Sequence, residues 1–462
     1  MLIEKLKSIV GVEGWVDEPA VLESHLTEWR GAYRGKTPLM VVPRTTSEVS
    51  ELVRACAAER TAIVPQGGNT GLCGGAIPDS SNTQILLSLA RLNRIRSVSP
   101  DDYSLVAEAG CVLADVQSQA REINRLFALS LAAEGSCQIG GNISTNAGGT
   151  NVLRFGTARE QVLGLEVVLA DGSIWDGIRS LRKDTAGYDL KQLFIGAEGT
   201  LGIITAASLR LFPLPRDLHT AIIAVASPGD AVALLSDLRS QLSDQIQAFE
   251  LISDRALRFV MRHIAGVRAP FAENHPWYVL IEGSVPGGQK GFDTVLMNTM
   301  DRGLALNAIV AGSLREADEF WRLRHSISEA QKSEGASLKH DVSVPVGRIG
   351  DFIRSAESAV QKVLADARVV AFGHVGDGNV HFNISQPKSQ SLEQFGGYAA
   401  ALSDAVYSVT LAFNGSISAE HGIGKAKREL LRKVRGETEL SLMRAVKQAL
   451  DPANIMNPGK VL

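Results

Sequence analysis

Three glycine-rich segments between residues 65 and 205 constrain this 462-residue chain more than any other feature. PQGGNTGLCGGA (65–76) follows the strand-like run AIVP directly. GGNISTNAGGTNVLRFG (140–156) mixes glycine with Asn, Ser and Thr, and LFIGAEGTLGIIT (193–205) reads as a strand that ends in glycines and then resumes. Glycine permits positive φ and close approach of backbone to a ligand. Consecutive amides in such loops form a concave anion site suited to a pyrophosphate. One such loop reads as a surface turn, whereas three, each beside a strand, predict backbone wrapped around a cofactor. There is no G-x-G-x-x-G, so a Rossmann site has no support.

The rest of the pattern is α/β. PLMVVPR (38–44) predicts a strand, and Thr45 with Glu48 predicts a capping box opening a helix with Val49, Leu52, Val53 and Cys56 on its apolar side. The prolines of FPLPR (212–216) mark a boundary. Beyond it, a β-α-β…β-α-β order predicts an antiparallel sheet with helices on one face. The length allows two or three domains. Lys+Arg 47 against Asp+Glu 50 argues against nucleic acid or an anionic membrane as partner. No run of about 18 apolar residues is present, and MLIEKLKSIV reads as an amphipathic helix, not a leader. Cys56, Cys73, Cys111 and Cys137 lie far apart, as reduced thiols of a cytoplasmic enzyme would.

The sharpest local signal is VVAFGHVGDGNVHFNIS (369–385). Asp377-Gly378 between two β-like runs predicts a two-residue type I′ hairpin. With that turn at the tip, His374 opposes His381, close enough for both imidazoles to reach one metal. SAEHGIGK (418–425) offers Glu420 beside His421 in a glycine-bounded turn, hence a third ligand. Two His and a carboxylate with an open position form the catalytic zinc pattern, and Mn²⁺ or Fe²⁺ also fits.

EADEFWRLRHSISEAQK (316–332) predicts one helix, with Arg324 central in its apolar stripe and Ser328 one turn along the same face. An arginine so placed snorkels, pairs structurally or binds an anion. LKHDVSVPV (338–346) predicts a strand with Lys339, Asp341 and Ser343 on one face.

PQGGNTGLCGG, GSCQIGGNISTNAGGTNVLRFGT and GYDLKQLFIGAEGTLGIIT resemble, in order and spacing, the FAD-binding domain of the vanillyl-alcohol oxidase / p-cresol methylhydroxylase type. W-x-L-R-x-x-I-S, K-H-D-V-S-V-P, G-H-x-G-D-G-N-x-H-x-N, A-E-H-G-I-G and D-P-x-N-I-x-N-P-G-K resemble the FAD-linked D-2-hydroxyacid dehydrogenases of that superfamily, from about residue 37 to the end. The resemblance implies an α+β chain: an FAD-binding domain over 1–215, a ferredoxin-like substrate and metal-binding cap over 216–440, and a tail, 441–462, returning to the FAD domain. In the first loop, Pro65, Gly67, Gly68, Asn69, Thr70, Gly71, Gly74 and Gly75 are implied to hold the pyrophosphate. Glu134, Gly135, Gly140, Gly141, Ser144, Thr145, Asn146, Gly148, Gly149 and Gly156, with Glu198, Gly199 and Ile203, are implied to line the flavin and adenine, and Asn457 to reach them from the tail. Relatives that attach FAD covalently use a His where this chain has Asn69, so the FAD is expected to be non-covalent.

The resemblance also implies zinc, or another divalent metal, on His374, His381 and Glu420, with His421 as base. Arg324, Ser328, Lys339, Asn383 and His421 are implied to bind the substrate between the domains. Lys339 favours a dicarboxylate, so D-2-hydroxyglutarate oxidised to 2-oxoglutarate is the first expectation and D-lactate oxidised to pyruvate the second. A non-redox synthase, or a flavin-binding subunit, is the further alternative on the same fold. With no haem or Cys₄ motif in the chain, an external acceptor, an electron-transfer flavoprotein or a quinone, is implied. A homodimer is an open arrangement.

Overall fold

The helix expected after Thr45 forms as Thr46–Ala58, and Thr45 accepts the Glu48 amide at 3.1 Å. The box is one-sided, because the Glu48 carboxylate takes the Arg44 amide instead. This helix buries Val49, Leu52, Val53 and Cys56 in a core with Leu39, Ile63 and Leu87. The computed structural model describes residues 1–462 as two compact units, one of 1–148, 156–214 and 420–462 and the other of 149–155 and 215–419. The chain thus changes unit within FPLPR, and again at 419/420 rather than at 440.

In the first unit, Met40–Val41 and Ile63–Gln66 flank Ile85–Ser88 in parallel, and Trp15–Val16 adds an antiparallel edge. A five-stranded antiparallel sheet follows, in the order Ile95–Ser99, Ser104–Glu108, Ile203–Arg210, Val162–Val168, Ile174–Asp176. The glycine segments join or flank these strands. The strand expected on both sides of the third segment exists on one side only: Lys191–Phe194 is a helical turn. Three positive-φ residues, Gly196, Glu198 and Gly199, then carry the chain into Ile203–Arg210.

The second unit runs β1 (Leu218–Val225), α1 (Pro228–Leu242), β2 (Ile246–Ser253), α2 (Asp254–His263), β3 (Trp277–Ser284), α3 (Gly288–Asp301), β4 (Asn307–Val310), α4 (Leu314–His325), α5 (Ile327–Lys332), β5 (Ser337–Ser343), α6 (Ile349–Val363), β6 (Arg368–His374), β7 (Asn379–Ser385) and α7 (Leu392–Ala412). Its sheet is antiparallel in the order β4-β1-β3-β2-β6-β7-β5. The first four strands with α1 and α3 make the ferredoxin-like β-α-β-β-α-β unit, and β6, β7 and β5 extend it from β2. Helices cover both faces, not one. Ile223, Leu251, Ile281 and Phe382 pack under α1, α3, α6 and α7, while Ile222, Ile252, Leu280 and Phe372 pack under α2, α4 and α5. Strands apolar at consecutive positions, as in β1, are those covered on both sides.

Candidate active site

In the first unit, an open cleft is lined by all three glycine segments. Pro65, Gly67, Gly68, Asn69, Thr70, Gly71 and Gly75 form one wall. Gly140, Gly141, Ser144, Thr145, Glu198 and Gly199 form the other, with His421. Gly68 is required: a Cβ there would run into the Ser136 carbonyl. Gly71 and Gly141 would place theirs in open space, so both present bare backbone. Gln138 also lines the cleft, and its Oε1 is buried without a hydrogen-bond partner. Bare amides and an unmatched acceptor fit the FAD that the resemblance implies. Asn69 does not point a nucleophile at it; Nδ2 donates to the Ser24 and Thr27 carbonyls at 3.0 and 3.1 Å.

Other residues expected at the cofactor lie outside this lining. Gly74 (φ 67°) packs on Tyr33, Glu134 accepts the Leu131 amide, and Asn146 Oδ1 accepts from Thr157 and Arg159. Ile203 is core, and Gly135, Gly148 and Gly156 belong to connecting loops of the unit. Gly149 falls in the second unit. Asn457 clasps the cleft from behind, donating to the Gly75 and Glu198 carbonyls at 3.0 and 2.8 Å. Gln66, Gln138 and Asn142 line the cleft without having been anticipated; Gln66 and Asn142 adjoin anticipated glycines, and Gln138 lies two residues before Gly140.

Glu198 ties the cleft to the turn that carries Glu420 and His421. Its carboxylate accepts the Ile423 and Gly424 amides at 2.7 and 2.8 Å. Burial raises its pKa against the pull of those amides and of Lys427 and Lys460. Gly422 and Gly424 have positive φ, and a Cβ on Gly422 would press on that carboxylate. His421 Nε2 lies 3.9 Å from Glu420 Oε1.

In the second unit, the histidine hairpin differs from expectation in register. His381 lies opposite Phe372, and His374 pairs across β2 with Glu250. Type I′ needs positive φ at both central residues, and of the expected pair only Gly378 has it. The turn takes four residues instead, closed by Asp377 N to His374 O and Gly378 N to Val375 O. The imidazoles still meet diagonally, with ring centroids 5.5 Å apart, as long side chains on one sheet face can.

Each imidazole has a carboxylate behind it. His374 Nδ1 is 2.6 Å from Glu250 Oε1, which favours the tautomer that turns Nε2 toward a metal. His381 Nδ1 is 3.6 Å from Asp341 Oδ1, which accepts Asn379 Nδ2 at 2.8 Å. The chain just before Glu420 is held on the same strand, since the Ala419 amide donates to the Asp341 carbonyl at 3.4 Å. The two imidazoles, each backed by a carboxylate, are donor types that zinc, manganese or iron accepts.

Arg324 is buried, and its Nε donates to Glu250 Oε2 at 2.8 Å. Its guanidinium lies 4.9 Å from the Phe372 ring centroid. Full burial would raise the Glu250 carboxyl, but His374 and then Arg324 overcome it and hold it at about 2. Glu250 therefore joins a candidate ligand to a candidate clamp. Local pattern could not reveal it, because it lies 74 residues from Arg324 in sequence.

Lys339 and Asn383 face each other across β5 and β7. Both donate to one oxygen, Gln331 Oε1, at 3.0 and 2.9 Å. Ser328 departs from expectation. The helix breaks at Ser326 into α4 and α5, and Ser328 is exposed where Arg324 is buried. Serine favours such junctions because its hydroxyl competes for local backbone groups.

Residues 37–177 match the FAD binding domain family, and residues 214–461 match the C-terminal domain of FAD linked oxidases. The mitochondrial D-2-hydroxyglutarate dehydrogenase of Arabidopsis thaliana is 36% identical over 463 residues, covering 100% of this chain and 81% of that protein. The D-2-hydroxyglutarate dehydrogenase of Xanthomonas citri pv. viticola is 38% identical over 448 residues, covering 96% and 93%. Among solved structures, p-cresol methylhydroxylase with substrate bound superposes with a TM-score of 0.79 at 16% identity, covering 100% of this chain and 96% of that one. That likeness concerns the fold, a two-domain FAD-binding architecture.

Proposed function

The chain belongs to the FAD-linked oxidase family, among the D-2-hydroxyglutarate dehydrogenases, and from that premise we propose that it oxidises D-2-hydroxyglutarate to 2-oxoglutarate. The unit of 1–148, 156–214 and 420–462 serves as the FAD-binding domain, with 441–462 as its returning tail, and the unit of 149–155 and 215–419 serves as the substrate and metal cap. FAD is held non-covalently by the glycine segments and supplies the hydride acceptor. A divalent metal, zinc foremost, is held by His374, His381 and Glu420 and supplies Lewis-acid polarisation of the C2 hydroxyl.

This chain's residues do the rest. His421 takes the hydroxyl proton on its imidazole, a task suited to histidine near neutral pH, as the C2 hydride leaves. Glu250 keeps His374 in one tautomer and Arg324 in one orientation. Arg324 and Lys339 hold the carboxylates, and Asn383 adds a polar contact. An external acceptor, an electron-transfer flavoprotein or a quinone, would take the electrons from the flavin, and the four buried cysteines form no disulfide. Such thiols also accord with a cytoplasmic protein. No helix is long and apolar enough to cross a membrane.

The observation that carries this reading is one sheet face on β6, β7 and β5. There the two imidazoles, Asn383 and the Lys339 ammonium stand together, with Arg324 stacked on Phe372 between β2 and β7. Steady-state oxidation with an artificial acceptor tests it. The expected order of kcat/KM is D-2-hydroxyglutarate, then D-malate, then D-lactate. D-lactate in first place would replace the proposed substrate.

A further inference from the structure

Gln331 is fully buried on the short helix α5, and both its carboxamide oxygen and its nitrogen are engaged from β5 and β7. Its Oε1 accepts from Lys339 Nζ at 3.0 Å and from Asn383 Nδ2 at 2.9 Å, and its Nε2 lies 2.9 Å from Ser385 Oγ. A lysine ammonium is donor only, so the amide must turn its oxygen to Lys339. Reversed, it would set an NH₂ against two other donors. A glutamate of the same length would reach the same ammonium, but with a negative charge. Gln331 restrains the lysine and subtracts no charge from it.

The geometry points to Gln331 as a specificity-determining residue: a neutral anchor that aims the Lys339 ammonium at the distal carboxylate of a D-2-hydroxy dicarboxylate. This rests on the reading that Lys339 is the distal clamp. It adds that the clamp works only while its buried partner is uncharged. Gln331 is a positioning residue, because it acts through Lys339 and Asn383.

The test is the ratio of kcat/KM for D-2-hydroxyglutarate to that for D-lactate, measured on the flavin-loaded full chain for the parent, Gln331→Glu, Gln331→Met and Lys339→Ala. Gln331→Glu should lower the ratio by roughly 30-fold or more, the scale of losing a desolvated charge pair, through KM for the dicarboxylate. D-lactate should change by no more than about 3-fold, within the context-dependence of one hydrogen bond. Gln331→Met keeps the length without the acceptor, and should lower the ratio by about 10-fold, as for one lost hydrogen bond to a charged group. If Gln331→Glu fails to retain flavin, Gln331→Met decides by the same ratio. A parent-like ratio in the Gln331 variants, with the ratio lost in Lys339→Ala, overturns the role of Gln331 and leaves the clamp standing. An unchanged ratio in Lys339→Ala overturns the clamp itself, and this inference with it. Equal losses on both substrates mean that Gln331 only supports the fold, which also overturns it.

Discussion

Glu250→Ala is the perturbation whose size the structure sets most directly. The carboxylate is fully buried and bridges Arg324 Nε at 2.8 Å and His374 Nδ1 at 2.6 Å. Removing it leaves a buried guanidinium unpaired, which costs about 3–5 kcal/mol. The same pairing holds the carboxyl, ordinarily at 4.5, down to about 2, a depression worth roughly 3 kcal/mol. The folded-state value is depressed, so this stability is present above pH 4.5 and is lost as pH falls toward 2. Hydrogen exchange across the β2–β6 ladder measures it, and the opening free energy there should fall by about 3 kcal/mol at pH 7. Glu250→Gln separates charge from shape. Its amide can accept from Arg324 but must donate to His374 Nδ1, which moves the ring proton to Nε2 and spoils that ligand. Metal affinity should then drop about 10–100-fold. A Glu250→Ala protein whose ladder opens within about 1 kcal/mol of the parent would refute the pairing argument, since breaking such a pair costs several times that.

The remaining expectations concern flavin, metal and base. Acid precipitation should release FAD into the supernatant, because Asn69 binds the Ser24 and Thr27 carbonyls; flavin retained by the precipitate would contradict non-covalent binding. Chelation, or His374→Ala, should remove bound metal and abolish turnover with FAD still in place, since neither His374 nor His381 lines the flavin cleft; unchanged metal content in the variant would show the histidine pair to be structural. His421→Ala should slow anaerobic flavin reduction about 10²–10⁴-fold, with much less effect on substrate affinity; a rate within a few-fold of the parent would remove it from the mechanism.

Features that depend on neighbours in sequence were readable from sequence. The Thr45 cap, the three glycine segments and the Lys339–Asp341–Ser343 face all follow from local spacing, and all are formed. Features that depend on a distant strand were not. The hairpin was placed two residues out of register because Asp377 keeps negative φ, and β2 then takes His374 as the partner of Glu250. The helix through Arg324 and Ser328 looked continuous by apolar spacing, yet it breaks at Ser326. Gln331 gave no signal, because a lone glutamine near a helix end reads as surface until β5 and β7 close over it.

On this reading the chain draws a hydride from the D-enantiomer of a 2-hydroxy dicarboxylate. Anaerobic mixing of the FAD-loaded protein with D-2-hydroxyglutarate, and separately with L-2-hydroxyglutarate, while following the oxidised flavin band, tests it in a single turnover. Prompt bleaching by the D-enantiomer is expected, with 2-oxoglutarate formed in amount equal to the flavin reduced, and no bleaching by the L-enantiomer. A flavin that stays oxidised with D-2-hydroxyglutarate, or that both enantiomers reduce alike, would contradict it.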